Sequence, residues 1–327
     1  VKKPLSNLVS YLLGDLGSRI IGFFIAIYLA RVLEPAGFGL MNLGLAVLGY
    51  LQLAGSPGIQ MIETRNVAAV AGMDRGRAGA IVSLRLLLAT FLWVLTGAAS
   101  VLFIEQASTR MVILLFSATA FPFALTLDWP FQGKEQFGDA AGARLAQYVI
   151  YGALVFFLVQ GPEDVALSAI AFGAGSFVSV LILWIRYRQR WGALRLNFSP
   201  PLWRSILTAG VPVGVAMFLA QSVSNFPPLV LGYLASKSDV GIFSAAMKVI
   251  FVALLLDRVF NALFLPVVTR HFARDVHDES HRLLQTTLRI LLAVVLPCAI
   301  SGGILGREAI RLLYGEGYEA AAPVLAV

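Results

Sequence analysis

The chain has 327 residues, 58% of them hydrophobic and 13% charged, with a mean hydropathy of +0.82. Soluble domains carry about 25% charged residues, so the composition excludes a soluble globular protein and points to a polytopic membrane protein. A net charge of +7 and a pI of about 9.8 would suit nucleic acid in a soluble chain; here most basic residues fall in loops on one side of the apolar spans, which sets that partner aside.

Nine full spans and the start of a tenth are predicted from apolar length. They are residues 8–33, 40–62, 80–103, 111–131, 143–160, 165–184, 206–235, 240–265 and 283–305, with 320–327 opening another. Lys2 and Lys3 ahead of the first run look like the start of a signal peptide. That run is too long, lacks a cleavage pattern and is followed by further spans, so it reads as a retained helix. It carries Asp15 and Arg19, four apart and therefore on one helical face. Arg19 lies near the middle of the span, where a bare charge costs at least ~2.5 kcal/mol. It must face protein or a water-filled cavity. Two readings fit: a structural pair with Asp15, or a headgroup or gating site. Gly14, Gly17, Ser18 and Gly22 permit close helix packing. A loop at 34–39 precedes the second span. Pro57, Pro122, Pro212 and the Pro227-Pro228 pair mark hinges or static kinks, the pair freeing the carbonyls of Val223 and Ser224.

Loop charge places the N-terminus inside. Lys2, Lys3, Arg65, Arg75, Arg77, Lys134 and the Arg186–Arg204 loop lie on that side, against Arg31, Arg110, Lys237, Arg307 and Arg311 on the other. The Arg186–Arg204 loop ends in Ser199-Pro200-Pro201 and divides the chain. Residues 1–190 read as an N-terminal six-helix bundle, 191–204 as a cytoplasmic linker, and 205–327 as an incomplete second bundle. A repeat supports the division: Phe38-Gly39, Thr64-Arg65 and Ser83-Leu84-Arg85 return as Val240-Gly241, Thr269-Arg270 and Thr287-Leu288-Arg289, each about 200 residues on. An even number of spans separates the copies, which makes it a parallel repeat. The fold expected is therefore all-α and integral to the membrane, with two pseudo-symmetric bundles.

Charges inside or bordering the spans are Arg19, Arg85, Arg144, Lys248, Arg258 and Arg289 against Asp15, Asp128 and Asp257. The excess of cations suits an anionic headgroup, and the guanidinium fork matches phosphate oxygens. Arg19, Lys248, Arg258, Arg85 and Arg289 are the headgroup candidates. Arg85 and Arg289 also lie where a side chain snorkels to the interface, Arg144 reads as an anchor, and Arg258 is within reach of the interface or of an acidic neighbour. Lys248 fits cavity and interface equally. Asp15 is a gating candidate. Asp257 and Asn261, four apart, suit a coupling H+ or Na+, although Asp257 equally suits neutralising an arginine. Asp128 with Trp129 reads as an interfacial anchor. His277 and His281 have helical metal-ligand spacing, but no third ligand accompanies them and the segment reads as a solvated loop. No cofactor is expected. The single Cys298 excludes a disulfide within the chain, and no P-loop, triad or metal constellation suggests an enzyme.

The stretches 30–39 (Ala-Arg-Val-Leu-Glu-Pro-Ala-Gly-Phe-Gly), 128–135 (Asp-Trp-Pro-Phe-Gln-Gly-Lys-Glu), 240–248 and 312–318 together resemble the polysaccharide or oligosaccharide flippases of the O-antigen type. That family lies within the MOP superfamily, which also holds the MATE multidrug exporters. The resemblance implies two helical bundles in a bacterial inner membrane. It also implies translocation of an undecaprenyl-diphosphate-linked glycan by alternating access, among membrane lipids and other polysaccharide assembly proteins. Span seven departs from the family pattern: Asn225-Phe226-Pro227-Pro228 stands where such proteins often carry an acidic residue. The alternatives are a MATE-like multidrug or cation antiporter, and a membrane-embedded enzyme or scaffold of glycan assembly.

Overall fold

The computed structural model describes residues 2–251, 289, 293, 297 and 304–326. Among these the regular structure is entirely helical, in two compact units, Val1–Val240 and Gly241–Val327. The first unit holds α1 (Lys2–Gly55), α2 (Ile59–Ala69), α3 (Arg75–Phe103), α4 (Ala107–Ala118), α5 (Ala120–Leu125) and α6 (Asp128–Gly133). There follow α7 (Phe137–Leu158), a 3-10 turn (Pro162–Asp164), α8 (Val165–Trp191) and α9 (Pro200–Leu234). A further helix, α10, covers 237–251. In the second unit α11 covers 304–314, followed by a 3-10 turn (Glu316–Ala321) and α12 (Ala322–Ala326). Six stretches among the described residues are long and apolar enough to cross a membrane: Gly14–Gly55, Arg75–Phe103, Ala107–Gly133, Phe137–Leu158, Pro162–Trp191 and Pro200–Ser222.

The first of these stretches contains two passes. Gly14 packs on Ala141 in the first turns of α7, and the Tyr28 hydroxyl donates to the Val159 carbonyl just past the end of α7, at 2.9 Å. Gly37 then touches Val165 and Pro162, and Gly58 meets Gly210 near the start of α9. The chain has therefore crossed and returned. The expected loop at 34–39 contracts to one residue, Glu34, with φ 57 and ψ 173. Pro35 begins the return limb at once, because its fixed φ is ready for the first turn of a helix and its missing N–H has no partner there to lose.

The expected second span is shorter than its apolar run. It stops at Gly55, and Pro57-Gly58 starts the separate helix α2. The fourth span is broken as well, into α4, α5 and α6, with Thr126 extended between the last two. In contrast, α9 is one helix through Pro212, Pro227 and Pro228.

One core lies where α3, α6, α8 and α9 meet, built on Ile81, Leu84, Leu127, Trp129, Phe131, Leu183, Tyr187 and Ile206. A second joins the return limb of α1 to α3 and α5 through Leu48, Leu51, Ala89, Ala120 and Ala124. The connection from α8 to α9 is tied down across the first turns of α3. The Ser83 hydroxyl donates to the Asn197 carbonyl at 2.6 Å, Asn197 Nδ2 to the Gly76 carbonyl at 3.2 Å, and Trp203 Nε1 to the Ala80 carbonyl at 3.1 Å. Nearby, Arg77 forks onto the buried carboxylate of Glu63 at 2.6 and 2.9 Å, and the Lys134 ammonium holds the last carbonyls of α2. At the opposite face Ser236 and Asp239 cap α10 reciprocally. The hydroxyl and backbone N–H of Ser236 hold the Asp239 carboxyl below the usual carboxylate range.

Two backbones cross closely between Pro57-Gly58 and the sequence Gly210-Val211-Pro212-Val213-Gly214 of α9. A Cβ on Gly58, whose φ is +63, would lie 2.3 Å from the Gly210 carbonyl oxygen, and one on Gly214 would lie 2.7 Å from Pro57 Cβ. Small residues four apart let two backbones touch, the device membrane helices use where no hydrophobic driving force separates protein from lipid. Gly58→Ala is expected to lose at least about 1–3 kcal/mol through backbone strain alone, read as a lower melting temperature in detergent. Gly72→Ala, where an added methyl meets nothing within 4 Å, is expected to melt like the parent.

Candidate functional site

The charged residues of α1 do not stand alone. Asp15 accepts from Arg19 Nε through Oδ2 and from Arg144 Nη1 through Oδ1, each at 2.8 Å. Arg144 Nη2 lies 3.9 Å from Asp128 at the start of α6. Three elements, α1, α6 and α7, are thus linked by alternating charges. The small face of α1 makes this possible: Gly14 sits against Ala141, and Gly22 against the ring of Tyr148, where a Cβ would come within 2.6 and 2.8 Å respectively. Larger residues there would hold the two helices beyond ion-pair reach. Because Arg144 lies seven residues into α7, the cluster sits about 10 Å from the end of the bundle where α7 begins.

Arg19 and Arg144 each take one oxygen of Asp15 and are similarly exposed, at 39% and 33%; they differ in that Arg144 also approaches Asp128. Arg19 engages only Nε, and its Nη groups meet no partner among the described residues. Its side chain is 39% exposed, against 21% for Asp15. The pair with Asp15 expected from the spacing is present. Arg19 still presents a free fork edge.

Arg85 is placed differently. It is 1% exposed. Its guanidinium donates to the Phe123 carbonyl at 2.5 Å, to the Thr126 carbonyl at 3.0 Å and to the Thr126 hydroxyl at 3.3 Å, and lies 5.0 Å from the centroid of the Phe123 ring. These are carbonyls that α5 releases where the fourth span breaks. Trp184 Nε1 donates to the neighbouring Leu125 carbonyl at 2.8 Å. Arg85 neither reaches the interface nor faces open space; it holds a helix break together. No sequence motif announces this, since an arginine near the end of an apolar span is the usual pattern of an anchor.

Lys248 is half-buried in α10, and Arg289 is helical and exposed. Asp257, Arg258 and Asn261 lie outside the described residues, as do His271, His277, His281 and Cys298. Among the described residues no cluster of His, Cys, Asp and Glu has the makings of a metal site.

This arrangement of broken apolar helices is shared with solved membrane transporters. The chain matches the inward-facing conformation of a multidrug resistance MATE family transporter of that superfamily with a TM-score of 0.64, at 14% identity over 99% of this chain and 78% of that one. The outward-facing conformation of such a transporter matches with a TM-score of 0.57, at 14% identity over 99% and 77%. A MOP superfamily transporter from Pyrococcus furiosus, described as having a binding pocket of reverse polarity that suggests a different function, matches with a TM-score of 0.53, at 14% identity over 99% and 77%. At such identities the likeness is one of fold. The chain belongs to the polysaccharide biosynthesis protein family, whose profile matches residues 5–270. No curated protein matches it.

The two arginines are expected to separate on substitution. Arg85→Met leaves the Thr126 carbonyl without its donor, while Phe123 keeps the N–H and hydroxyl of Thr126, and is expected to cost about 1–3 kcal/mol, read as a fall in melting temperature. Arg19→Gln leaves Asp15 paired with Arg144 and is expected to change stability by less than about 1 kcal/mol.

Proposed function

We propose that this protein flips a lipid-diphosphate-linked oligosaccharide across a bacterial inner membrane by alternating access of two helical bundles, with the N-terminus cytoplasmic. The observation that carries the reading is the open side of Arg19 in a chain of the polysaccharide biosynthesis family. A guanidinium held at Nε by Asp15, with both Nη groups presented, is a pre-oriented fork for a diphosphate. Arg144 on the far side of Asp15 and Asp128 beyond it leave the cluster neutral overall, two arginines against two aspartates, so the reading rests on the free edge of the Arg19 fork and not on net charge. The undecaprenyl chain stays in lipid while the headgroup crosses.

Lys248 is the second proposed headgroup contact, and Arg258 and Arg289 are further proposed ones in the second unit. Asp257 and Asn261 are the proposed seat of a coupling H+ or Na+. Arg85 is better suited to the scaffold than to the headgroup, because it is buried and its Nη groups are spent on α5 and Thr126. The reading makes the protein a transporter rather than an enzyme, working beside other proteins of polysaccharide assembly.

The test is flipping of a fluorescent lipid-diphosphate glycan in liposomes. Arg19→Ala is expected to slow flipping about ten- to a hundredfold, the worth of one charge-assisted hydrogen bond, with the melting temperature retained. Normal flipping by that variant would sink the Arg19 assignment. ATP-independent drug efflux without glycan flipping by the intact protein would replace the proposal with drug or cation antiport.

A further inference from the structure

A second cavity in the first unit carries no charged side chain. It lies between the return limb of α1, the start of α2, α5 and α9, directly above the Gly58–Gly210 crossing, with a volume of about 240 Å³. Its polar groups are amides and a hydroxyl. Gln52 comes from α1, Gln60 from α2 and Gln221 from α9, with Ser56 between the first two. The Ser56 hydroxyl is buried with no hydrogen-bond partner among the described residues. The side-chain amides of Gln52, Gln60 and Gln221 likewise have none there. Phe123 and Met217 supply the apolar part of the wall.

The buried Ser56 hydroxyl forfeits its hydrogen bond unless the cavity holds a partner for it. Around it the half-buried amides of Gln52 and Gln60 and the exposed one of Gln221 line the same cavity with donors and acceptors together, two of them within candidate membrane spans. A phosphate offers acceptors only and calls for cations, and none lines this cavity. Lipid chains offer neither. A carboxamide presents one donor edge and one acceptor side by side, the complement of two neighbouring hydroxyls. A ring such as Phe123 offers a flat face to the C–H side of a sugar.

We propose that this cleft is a subsite for one uncharged sugar ring, distinct from the Arg19 cluster. It depends on the flippase reading for the source of that sugar, the glycan of the lipid-linked substrate. At about 240 Å³ the space falls short of the ~300 Å³ at which pockets for drug-sized ligands begin, so it takes a single ring and not a chain. The Pro57-Gly58 crossing on Gly210 and Gly214 sets its floor, and a side chain at Gly210 or Gly214 would collide with Pro57 and force the crossing apart.

The test reads occupancy directly. In the full chain carrying Cys298→Ser, the thiol introduced by Ser56→Cys is alkylated by a maleimide in nanodiscs, with a panel of methyl glycosides of neutral hexoses, deoxyhexoses and N-acetylhexosamines or with inorganic pyrophosphate. At least one glycoside is expected to slow alkylation several-fold while pyrophosphate does not, and Gln52→Leu or Gln221→Leu is expected to remove that protection without changing the unprotected rate. Protection by pyrophosphate, protection by no glycoside, or protection that survives both substitutions would overturn the proposal. The liposome flipping assay separates the two levels. Flipping without glycoside protection removes the subsite alone, whereas protection without flipping keeps a sugar site and removes the flippase.

Discussion

Nothing in the core of a bilayer solvates a carbonyl that a helix has let go, and that constraint falls here on the join between α5 and α6. Thr126 is extended, so the end of α5 has no next turn to donate to it. Arg85 from α3 supplies the donor for Thr126 and Trp184 from α8 the one for Leu125, while Arg85 adds to the Thr126 N–H and hydroxyl already on Phe123. The break is thus a property of three helices and not of α5 alone. It fixes where α6 begins, and α6 carries Asp128 toward Arg144. The charge cluster on α1 and α7 inherits its geometry from that repair.

The same logic separates the arginines by what they have left to give. A guanidinium has five N–H donors. Arg85 commits its Nη groups to backbone in a buried setting, which makes it expensive to remove and poor at meeting a ligand. Arg19 commits one nitrogen to a carboxylate and keeps the others. The difference is one of what remains on offer: Arg85 is enclosed by protein, whereas the spare donors of Arg19 lie on a side chain that is 39% exposed.

Much of the architecture was legible in the sequence because membrane helices announce themselves by length and polarity. The all-helical transporter fold and the spans from 80 to 235 follow from apolar runs, and Asp15 with Arg19 follows from their spacing. The breaks were less legible. Prolines were the obvious candidates, yet α9 passes through three of them, while the join at Thr126 contains none. A proline in a membrane helix is tolerated when neighbours fill in for the lost bond, and a non-proline residue breaks a helix when an arginine waits to receive its carbonyls. That depends on a contact across 38 residues, which no local pattern encodes. Glu34 is the reverse case. Its left-handed backbone concentrates into one residue a turn for which the run Glu-Pro-Ala-Gly-Phe-Gly suggested six. The amide cleft escaped notice because Gln52, Gln60 and Gln221 are unremarkable singly and acquire meaning only where α1, α2 and α9 meet.

The tie between the start of α3 and the segment after α8 sets a schedule for synthesis. Ser83, Gly76 and Ala80 find Asn197 and Trp203 across 114, 121 and 123 residues. At about 5–20 residues per second, α3 is made several seconds before its partners leave the ribosome. During that wait the Ser83 hydroxyl is not stranded, because it also donates to the Ala80 carbonyl in its own helix at 3.0 Å. The serine thus serves two partners in succession, first holding α3 self-sufficient in the nascent chain and then receiving the strap that locks the unit when α9 arrives.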